Sequence, residues 1–296
     1  MSTEKARFHH NPEKIALLTD SCADLSEKQR KNKPIFVVPL KIRCVDGDFS
    51  DGVDIFANDI YRRQSAGEMP HTSLPEGGCV DEVLDQIAQL GYEKVVAVHL
   101  SGGLSGTYNL IRLHAQERKD LEICVFDSLS GSLAIGSVLL QAWEDIVNGM
   151  SWEELVQKRI PRLLENTIPF FSVDTLEYLQ KGGRIGKITA VAGTMLNIKP
   201  LIGFSADGQL SSVAKVRGRK AVQPKLVELL QRHAGVHTRY NLAVANGGAP
   251  QEMAELAKKV KAAFPDYEHF WEGEIDATLS SYIGAGVLGA CIQFLD

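Results

Sequence analysis

Short apolar runs alternate along the chain with longer stretches of helical periodicity, and this alternation restricts the fold more than any other feature of the sequence. The runs that predict strands are 14–20, 34–42, 94–100, 122–128, 168–173, 199–205, 211–218, 240–247 and 290–296. Apolar residues three and four positions apart predict helices at 54–66, 77–90, 104–118, 131–148, 151–166, 174–181, 219–233 and 250–263. Strands that alternate with helices are typical of layered proteins, so we expect an α/β fold with mostly parallel sheets.

The length of the chain and the order of these segments indicate two lobes. The chain has 296 residues, 44% of them hydrophobic, which is enough for two α/β lobes of ordinary size. Two predicted helices in succession end near residue 166 and a new strand follows, so we place the lobes at 1–166 and 167–296. Asp207-Gly208 lies between two strand-like runs and predicts one antiparallel hairpin in the second lobe.

Composition argues against several classes of protein. The sequence has no window of 18 uninterrupted apolar residues, so we expect no membrane span. The first residues, MSTEKARFHHNPEK, lack the apolar core of a secretory signal, and we therefore expect a cytoplasmic protein. The five cysteines are odd in number and far apart, which argues against a disulfide framework or a zinc cage, and we expect no metal.

Small polar side chains follow several predicted strands. Open parallel sheets bind ligands beyond the carboxyl ends of their strands, so these side chains predict a polar rim there: Asp20, Ser21, Ser101, Asp127 and Ser128. One function consistent with this rim is a stand-alone enzyme for an acyl or phosphorylated substrate, with Asp20 or Asp127 as general acid or base near Ser105. The alternative is that these carboxylates only orient loop hydroxyls and backbone amides.

Two other stretches are rich in hydroxyls. In SGGLSGTYNLI, Gly102 and Gly103 would let the backbone turn with positive φ or approach a ligand closely. Ser105, at the start of the next helix, could hold an anion together with nearby N–H groups, or could simply cap the helix. In PHTSLPEGG, Thr72 and Ser73 offer two more hydroxyls, unless the stretch is an ordinary helix N-terminus.

A basic segment lies in the second half of the chain. Residues 181–225 carry nine Lys and Arg residues against one acid, on a chain with a net charge of −5. Such a segment attracts an acidic partner, a phosphate or nucleic acid, unless it is only a solvated face. No aromatic residues alternate with these cations, so we expect no nucleic-acid partner.

The sequence resembles the DegV family in a series of motifs that extend over nearly the whole chain. The matching stretches are IALLTDSCADLS, VVPLKIRCVDGDFSDGVDI, HTSLPEGG, HLSGGLSGTYN, VFDSLSGSLAIG, VDTLEYLQKGGRIGK and MLNIKPLIGFSADGQLSSVAKVRGRKA. The resemblance implies two α/β lobes with a long-chain fatty acid in a buried tunnel between them, and no cofactor. It also implies a binding protein rather than an enzyme, which presents the acid to a separate fatty acid kinase for phosphorylation.

The resemblance also implies which residues hold the carboxylate of the fatty acid. These would be Thr72, Ser73 and Ser105, with Gly106 beside them. A C-terminal histidine completes this set in the family, but Tyr282 stands at that position here. Tyrosine can donate a hydrogen bond to a carboxylate and carries no positive charge, so the chemistry at the head group is expected to differ.

Two arginines would serve a different purpose. By resemblance, Arg184 of the GGRI motif and Arg217 of the KVRG motif belong to the surface that the kinase uses. Reversing their charge is therefore expected to spare lipid binding. Besides a carrier and a stand-alone enzyme, the sequence leaves a third function open, namely an interaction or regulatory protein in which the lipid is only structural.

Overall fold

Three β-sheets and the helices packed on them form the computed structural model, which describes residues 8–188 and 197–296. The strands are β1 (Ile15–Asp20), β2 (Ile35–Val38), β3 (Lys41–Cys44), β4 (Gly47–Ser50), β5 (His71–Ser73), β6 (Lys94–His99), β7 (Glu122–Asp127), β8 (Thr167–Ser172), β9 (Ile198–Phe204), β10 (Leu210–Arg217), β11 (Tyr240–Gly247), β12 (Phe270–Glu274) and β13 (Val287–Phe294). The helices are α1 (Glu27–Arg30), α2 (Ala57–Ser65), α3 (Gly77–Gln89), α4 (Thr107–Glu117), α5 (Leu133–Val147), α6 (Trp152–Glu154), α7 (Ile160–Glu165), α8 (Glu177–Lys181), α9 (Val222–Ala234), α10 (Pro250–Ala263) and α11 (Ala277–Ile283). A π-helical turn at Leu155–Arg159 joins α6 to α7. The first two residues of the MLNIKPLIGFS motif lie outside the described residues.

The four-stranded sheet is parallel throughout, as predicted for the first lobe. Its order is β2-β1-β6-β7. Every residue of β1 is buried, because Ile15 and Leu17 pack toward α5 while Ala16 and Leu18 pack toward α3 and α4. A strand covered on both faces requires a continuous apolar run, which explains why its sequence shows no alternation.

The six-stranded sheet corrects the expectation of mostly parallel pairing. Its order is β10-β9-β8-β13-β11-β12, and only the β11–β12 pair is parallel. The predicted hairpin is confirmed: β9 and β10 pair antiparallel, and Gly208 has the positive φ of +73° that such a turn needs. The two-lobed α/β class is confirmed, whereas strand direction in the second lobe is set by the insertion of β13 between β8 and β11.

A three-stranded antiparallel sheet, β4-β3-β5, lies outside the two main layers. Its strands have three or four residues each, too few to show a period, and the run 34–42 predicted as one strand is divided between β2 and β3. Strand β12 and helix α11 were also not predicted. These short elements matter because β5 carries Thr72 and Ser73, and α11 carries Tyr282.

Helix α5 connects the two lobes. Its sequence, LAIGSVLLQAWEDIV, is apolar around most of its circumference, as expected for a helix that is covered on several sides. Ile135 and Leu139 pack on the four-stranded sheet, and Leu133 packs with Ala243 of the six-stranded sheet. Because α5 packs on the sheets of both lobes, the structure does not mark a boundary between them, and the boundary at residue 166 stays a prediction. Among the helices of residues 8–188 and 197–296, none has the length and apolarity to cross a membrane.

Buried carboxylates join the first lobe to α11. Asp24 Oδ1 accepts a hydrogen bond from the backbone N–H of Asp276 at 2.8 Å, and Ser132 donates to Asp24 Oδ2. Asp51 accepts from the first two N–H groups of α11. Burial raises the pKa of Asp24 to about 7, and burial together with the nearby Asp51 raises the pKa of Asp276 well above its usual range. Asp24 and Asp276 therefore hold a proton that two exposed carboxyls would release.

We expect this pair to make the free energy of unfolding fall as pH rises from about 4 to about 7. In that window the folded protein keeps a proton that the unfolded chain loses, so unfolding becomes more favourable with pH. Asp276→Asn cannot ionise but still accepts from the N–H of Leu279, which Asp276 caps at 2.7 Å. Urea unfolding across this pH range should give a flatter profile for the variant and greater stability above pH 7.

Asp276→Ala serves as the comparison, because it removes the charge and also the helix cap, at a cost of about 1 kcal/mol. If the free energy of unfolding depended equally steeply on pH in wild type and in Asp276→Asn, the raised pKa values of the Asp24–Asp276 pair would be contradicted.

Candidate functional site

A cavity of about 420 Å³ lies between the two lobes, at the N-terminal end of α5. Its volume is within the range of small-molecule sites in proteins. Most of the residues that line it are apolar and come from both lobes. Those with polar side chains are Thr72, Ser73, Ser105, Ser132, Arg184, Thr278 and Tyr282. The cavity thus combines an apolar interior with a small set of hydroxyl groups.

The inner wall is a patch of small residues on the six-stranded sheet. Ala245 lies opposite Gly289 and Ala243 lies opposite Cys291 in the pairing of β11 with β13, and Gly289 is next to Phe171 of β8. Burial raises the pKa of the Cys291 thiol, so this side chain is neutral and behaves as a small apolar group. Small side chains at neighbouring positions leave room in front of the sheet, and the wall they form suits a hydrocarbon chain.

Three of the hydroxyl residues that line the cavity, Thr72, Ser105 and Tyr282, are half-buried, whereas Thr278 is buried. Thr72 Oγ1 and the Tyr282 hydroxyl are 2.5 Å apart, within hydrogen-bonding distance. All five residues predicted for the carboxylate line the cavity: Thr72, Ser73, Ser105, Gly106 and Tyr282. They come from β5, the turn before α4, and α11, three segments that are far apart in the sequence.

Ser105 combines the two roles that the sequence left open. Its Oγ accepts a hydrogen bond from the N–H of Thr107 at 3.2 Å, in the first turn of α4, and lies 2.8 Å from Thr107 Oγ1. The residue nevertheless lines the cavity and is only half-buried. Its backbone N–H donates to Ser101 O, which fixes the turn. The bond to the N–H of Thr107 therefore fixes the Ser105 hydroxyl while the residue still lines the cavity.

The two glycines before Ser105 have a different purpose from the one expected. Neither has a positive φ. A Cβ at Gly102 would lie 2.5 Å from Asp127 Oδ2, and one at Gly103 would lie 2.7 Å from the carbonyl oxygen of Asp207. The absence of a side chain at both glycines therefore makes room for Asp127 and for the backbone at Asp207, and not for a ligand.

The predicted polar rim is structural. Among the described residues that line the cavity, none belongs to the set Asp20, Ser21, Ser101, Asp127 and Ser128. The hydroxyls of this set bond to nearby backbone groups; Ser101 Oγ–H, for example, donates to Gly208 O at 2.8 Å and so ties the second lobe to the first.

The two carboxylates proposed as acid or base are already bound to the protein. Asp20 accepts from the backbone N–H groups of Cys22 and Leu100, and also contacts His99 Nδ1 at 3.0 Å. Asp127 Oδ1 accepts from the N–H groups of residues 102 and 129. Both carboxylates therefore orient the loops, as the alternative interpretation of the sequence had it, and the geometry gives no support to a general acid or base near Ser105.

The structure separates the two arginines that the sequence analysis grouped together. Arg217 is an exposed residue of the edge strand β10 and does not line the cavity. Arg184 lines the outer end of the cavity, and its guanidinium carbon lies 5.0 Å from the centre of the Tyr282 ring. A side chain on Gly182 would overlap this ring. This contact leaves no signal in the sequence, because Arg184 and Tyr282 are 98 positions apart.

The sequence matches a protein-family model described as "Uncharacterised protein, DegV family" over residues 14–295. A DegV domain-containing protein of Clostridium perfringens is 33% identical over 281 residues, which are 95% of this chain and 99% of that protein. The chain belongs to the DegV family. Protein DegV of Bacillus subtilis, another member, is 28% identical over 95% of this chain and 99% of its own length.

Solved DegV structures share the fold. A DegV family protein from Thermus thermophilus, described by its fatty acid binding, superposes with a TM-score of 0.89 at 30% identity and covers 95% of this chain and 100% of its own. DegV of Bacillus subtilis, described as a fatty acid binding protein, gives a TM-score of 0.84 at 28% identity, with 95% and 99% coverage. The α/β fold of this chain is therefore that of the DegV family.

We expect Gly182→Ala to destabilise the protein by about 1–3 kcal/mol, because the new methyl group overlaps the Tyr282 ring in a packed site. Gly78→Ala is the matched control: a Cβ at this position in α3 meets nothing within 4 Å. Urea unfolding of both variants checks the expectation. Equal stability of the two variants would show that Tyr282 does not occupy the position described.

Proposed function

We propose that this protein binds a long-chain fatty acid in the cavity between its lobes, with the carboxylate at Thr72, Ser73, Ser105, Gly106 and Tyr282. The observation that carries the proposal is a mostly apolar cavity in which the Thr72 and Tyr282 hydroxyls meet and which Ser73 and Ser105 also line. A fatty acid has the complementary form, a long apolar chain with one polar end. The proposal requires no cofactor.

The hydrocarbon chain would provide most of the affinity. Burial is worth roughly 0.8 kcal/mol per methylene group, so about fifteen methylenes supply on the order of 10 kcal/mol before the entropy of binding is deducted. The carboxylate must then be hydrogen-bonded, because burying it without partners costs several kcal/mol. The Ser105 hydroxyl can donate a hydrogen bond to it, and so can whichever of the Thr72 and Tyr282 hydroxyls does not donate to the other.

The relatives support this assignment. The Thermus thermophilus and Bacillus subtilis proteins are described by fatty acid binding, and both align with almost the whole of this chain. A Thermotoga maritima protein that is 26% identical, with a TM-score of 0.83, is likewise described by a fatty acid binding function.

We further propose a carrier role, and the exposed basic residues support it. In the basic segment, Lys181, Lys187, Lys199, Arg219 and Lys225 form ion pairs with acids. Among the described residues no acid pairs with Lys215, Arg217 or Lys220, and the first two of these project from the edge strand β10. An acidic partner could dock there. We assign this surface, with Arg184 at the cavity, to a cytoplasmic fatty acid kinase that phosphorylates the bound acid with ATP.

Ser105→Ala should lower the affinity for palmitic acid by about tenfold or more, since a hydrogen bond to a charged group is lost. The fold should be unaffected, apart from the weakened cap on α4. Native mass spectrometry and titration of the delipidated protein measure the effect. Ser65→Ala, which removes an exposed hydroxyl outside the cavity, is the matched control. Unchanged affinity in Ser105→Ala would remove this residue from the site.

Arg217→Glu should retain the fatty acid but impair its phosphorylation, because the reversed charge repels an acidic surface on the kinase. The assay combines the loaded protein with a purified fatty acid kinase and ATP and follows acyl phosphate formation. Arg62→Glu, on the exposed surface of α2 and outside the cavity, controls for a general effect of charge. Equal phosphorylation of both variants would place the kinase surface elsewhere, and turnover without any kinase would favour the stand-alone enzyme.

A further inference from the structure

The charge of the ligand raises a question that the hydroxyl groups do not answer. Thr72, Ser105 and Tyr282 are neutral donors, whereas a fatty acid at neutral pH is an anion. Among the described residues that line the cavity, Arg184 has the only charged side chain. The positive charge that balances a bound carboxylate must therefore come from Arg184 or from solvent.

Arg184 is held in place by backbone groups and keeps donors free. Its Nη1 donates to the carbonyl oxygen of Gly182 at 2.7 Å, and its Nε points to Leu104 O at 3.5 Å. No acid among the described residues forms an ion pair with it, in contrast to the lysines at 181 and 187 on either side. A guanidinium has five N–H donors, so the Nη2 group remains available for a carboxylate.

The Tyr282 ring fixes the position of this guanidinium. The centre of the ring is 5.0 Å from the guanidinium carbon of Arg184, a cation–π distance. The ring also lies against Gly182, where no side chain fits, so the Gly182–Arg184 turn follows the surface of the ring. The hydroxyl of the same tyrosine reaches Thr72 Oγ1. One residue thus brings the charged group and the hydroxyl cluster to the same end of the cavity.

We propose that Arg184 selects for an anionic head group, and that Tyr282 is the positioning residue that holds the guanidinium there. This inference rests on the proposed function, because it concerns the polar end of the same ligand. It predicts a preference between ligands that share a chain and differ in the charge of the head group. For Arg184 it replaces the expectation that a change of charge spares lipid binding, and that expectation is kept for Arg217, which does not line the cavity.

The test compares two ligands that differ mainly in the charge of the head group, palmitic acid and hexadecan-1-ol. Dissociation constants are measured with delipidated protein at a pH of about 8, where the free acid is ionised. Wild type should prefer the acid. Arg184→Gln should weaken acid binding by about tenfold or more and leave alcohol binding unchanged, so that the preference is lost. Arg184→Lys should restore part of it, since the charge returns without the planar donor array.

Two variants of Tyr282 test the positioning role. Tyr282→Phe keeps the ring and should retain more of the preference for acid than Tyr282→Leu, which removes the ring. Arg62→Gln, on the exposed surface of α2 and outside the cavity, is the control and should behave as wild type.

The possible failures are distinguishable. An unchanged ratio of acid to alcohol affinity in Arg184→Gln, or an equal loss of both ligands, would overturn the selective role of Arg184. Equal ratios in Tyr282→Phe and Tyr282→Leu would overturn the positioning role of the ring. Wild type that binds neither ligand would refute the proposed function itself.

Discussion

The burial of α5 between two sheets is the interaction on which the rest of the structure depends. A helix with apolar side chains on most of its circumference must be covered on several sides, and each lobe supplies part of the cover. The lobes are thereby fixed relative to each other around a shared core. At the N-terminal end of the helix, Leu133 and Ala134 line the cavity together with small residues of β11 and β13. The cavity is the space left at that end.

The polar end of the cavity is built differently from its wall. The wall needs only small apolar residues in register on neighbouring strands, and β11 and β13 provide them. The polar end needs donors that converge on one point, and no single element supplies them. A strand of the small sheet, the turn before α4 and helix α11 each contribute one hydroxyl, at Thr72, Ser105 and Tyr282. Helix α11 is in turn anchored by Asp51 and Asp24, so the buried carboxylates also set the position of the tyrosine.

Motif-rich loops invite a catalytic interpretation that their geometry does not support. Asp20 and Asp127 follow strands at the edge where α/β enzymes often place catalytic groups. Both are occupied with backbone N–H groups of the neighbouring loops. Ser101 and Gly103 likewise serve contacts within the protein, with the 205–209 turn of the other lobe, and Gly102 leaves room for Asp127. Most residues of the family motif around Ser105 therefore make contacts that hold the two lobes together and fix the position of the Ser105 hydroxyl.

Much of this protein could be deduced from the order of its residues. Apolar runs separated by amphipathic segments predicted the α/β class, mostly parallel strands and the β9–β10 hairpin, and the parallel expectation holds only for the four-stranded sheet. The hydroxyls at Thr72 and Ser105 were found because they stand in motifs. The antiparallel order of the second sheet, the three-stranded sheet and α11 were missed, since short elements and strand directions leave no such period. Only the tertiary structure decided which residues from distant parts of the chain come together. The contact of Arg184 with Tyr282, the hydrogen bonds of Asp20 to Leu100 and of Asp127 to Gly102, and the bond from the N–H of Asp276 to Asp24 all join residues distant in the chain. Such distances are set by packing rather than by local sequence.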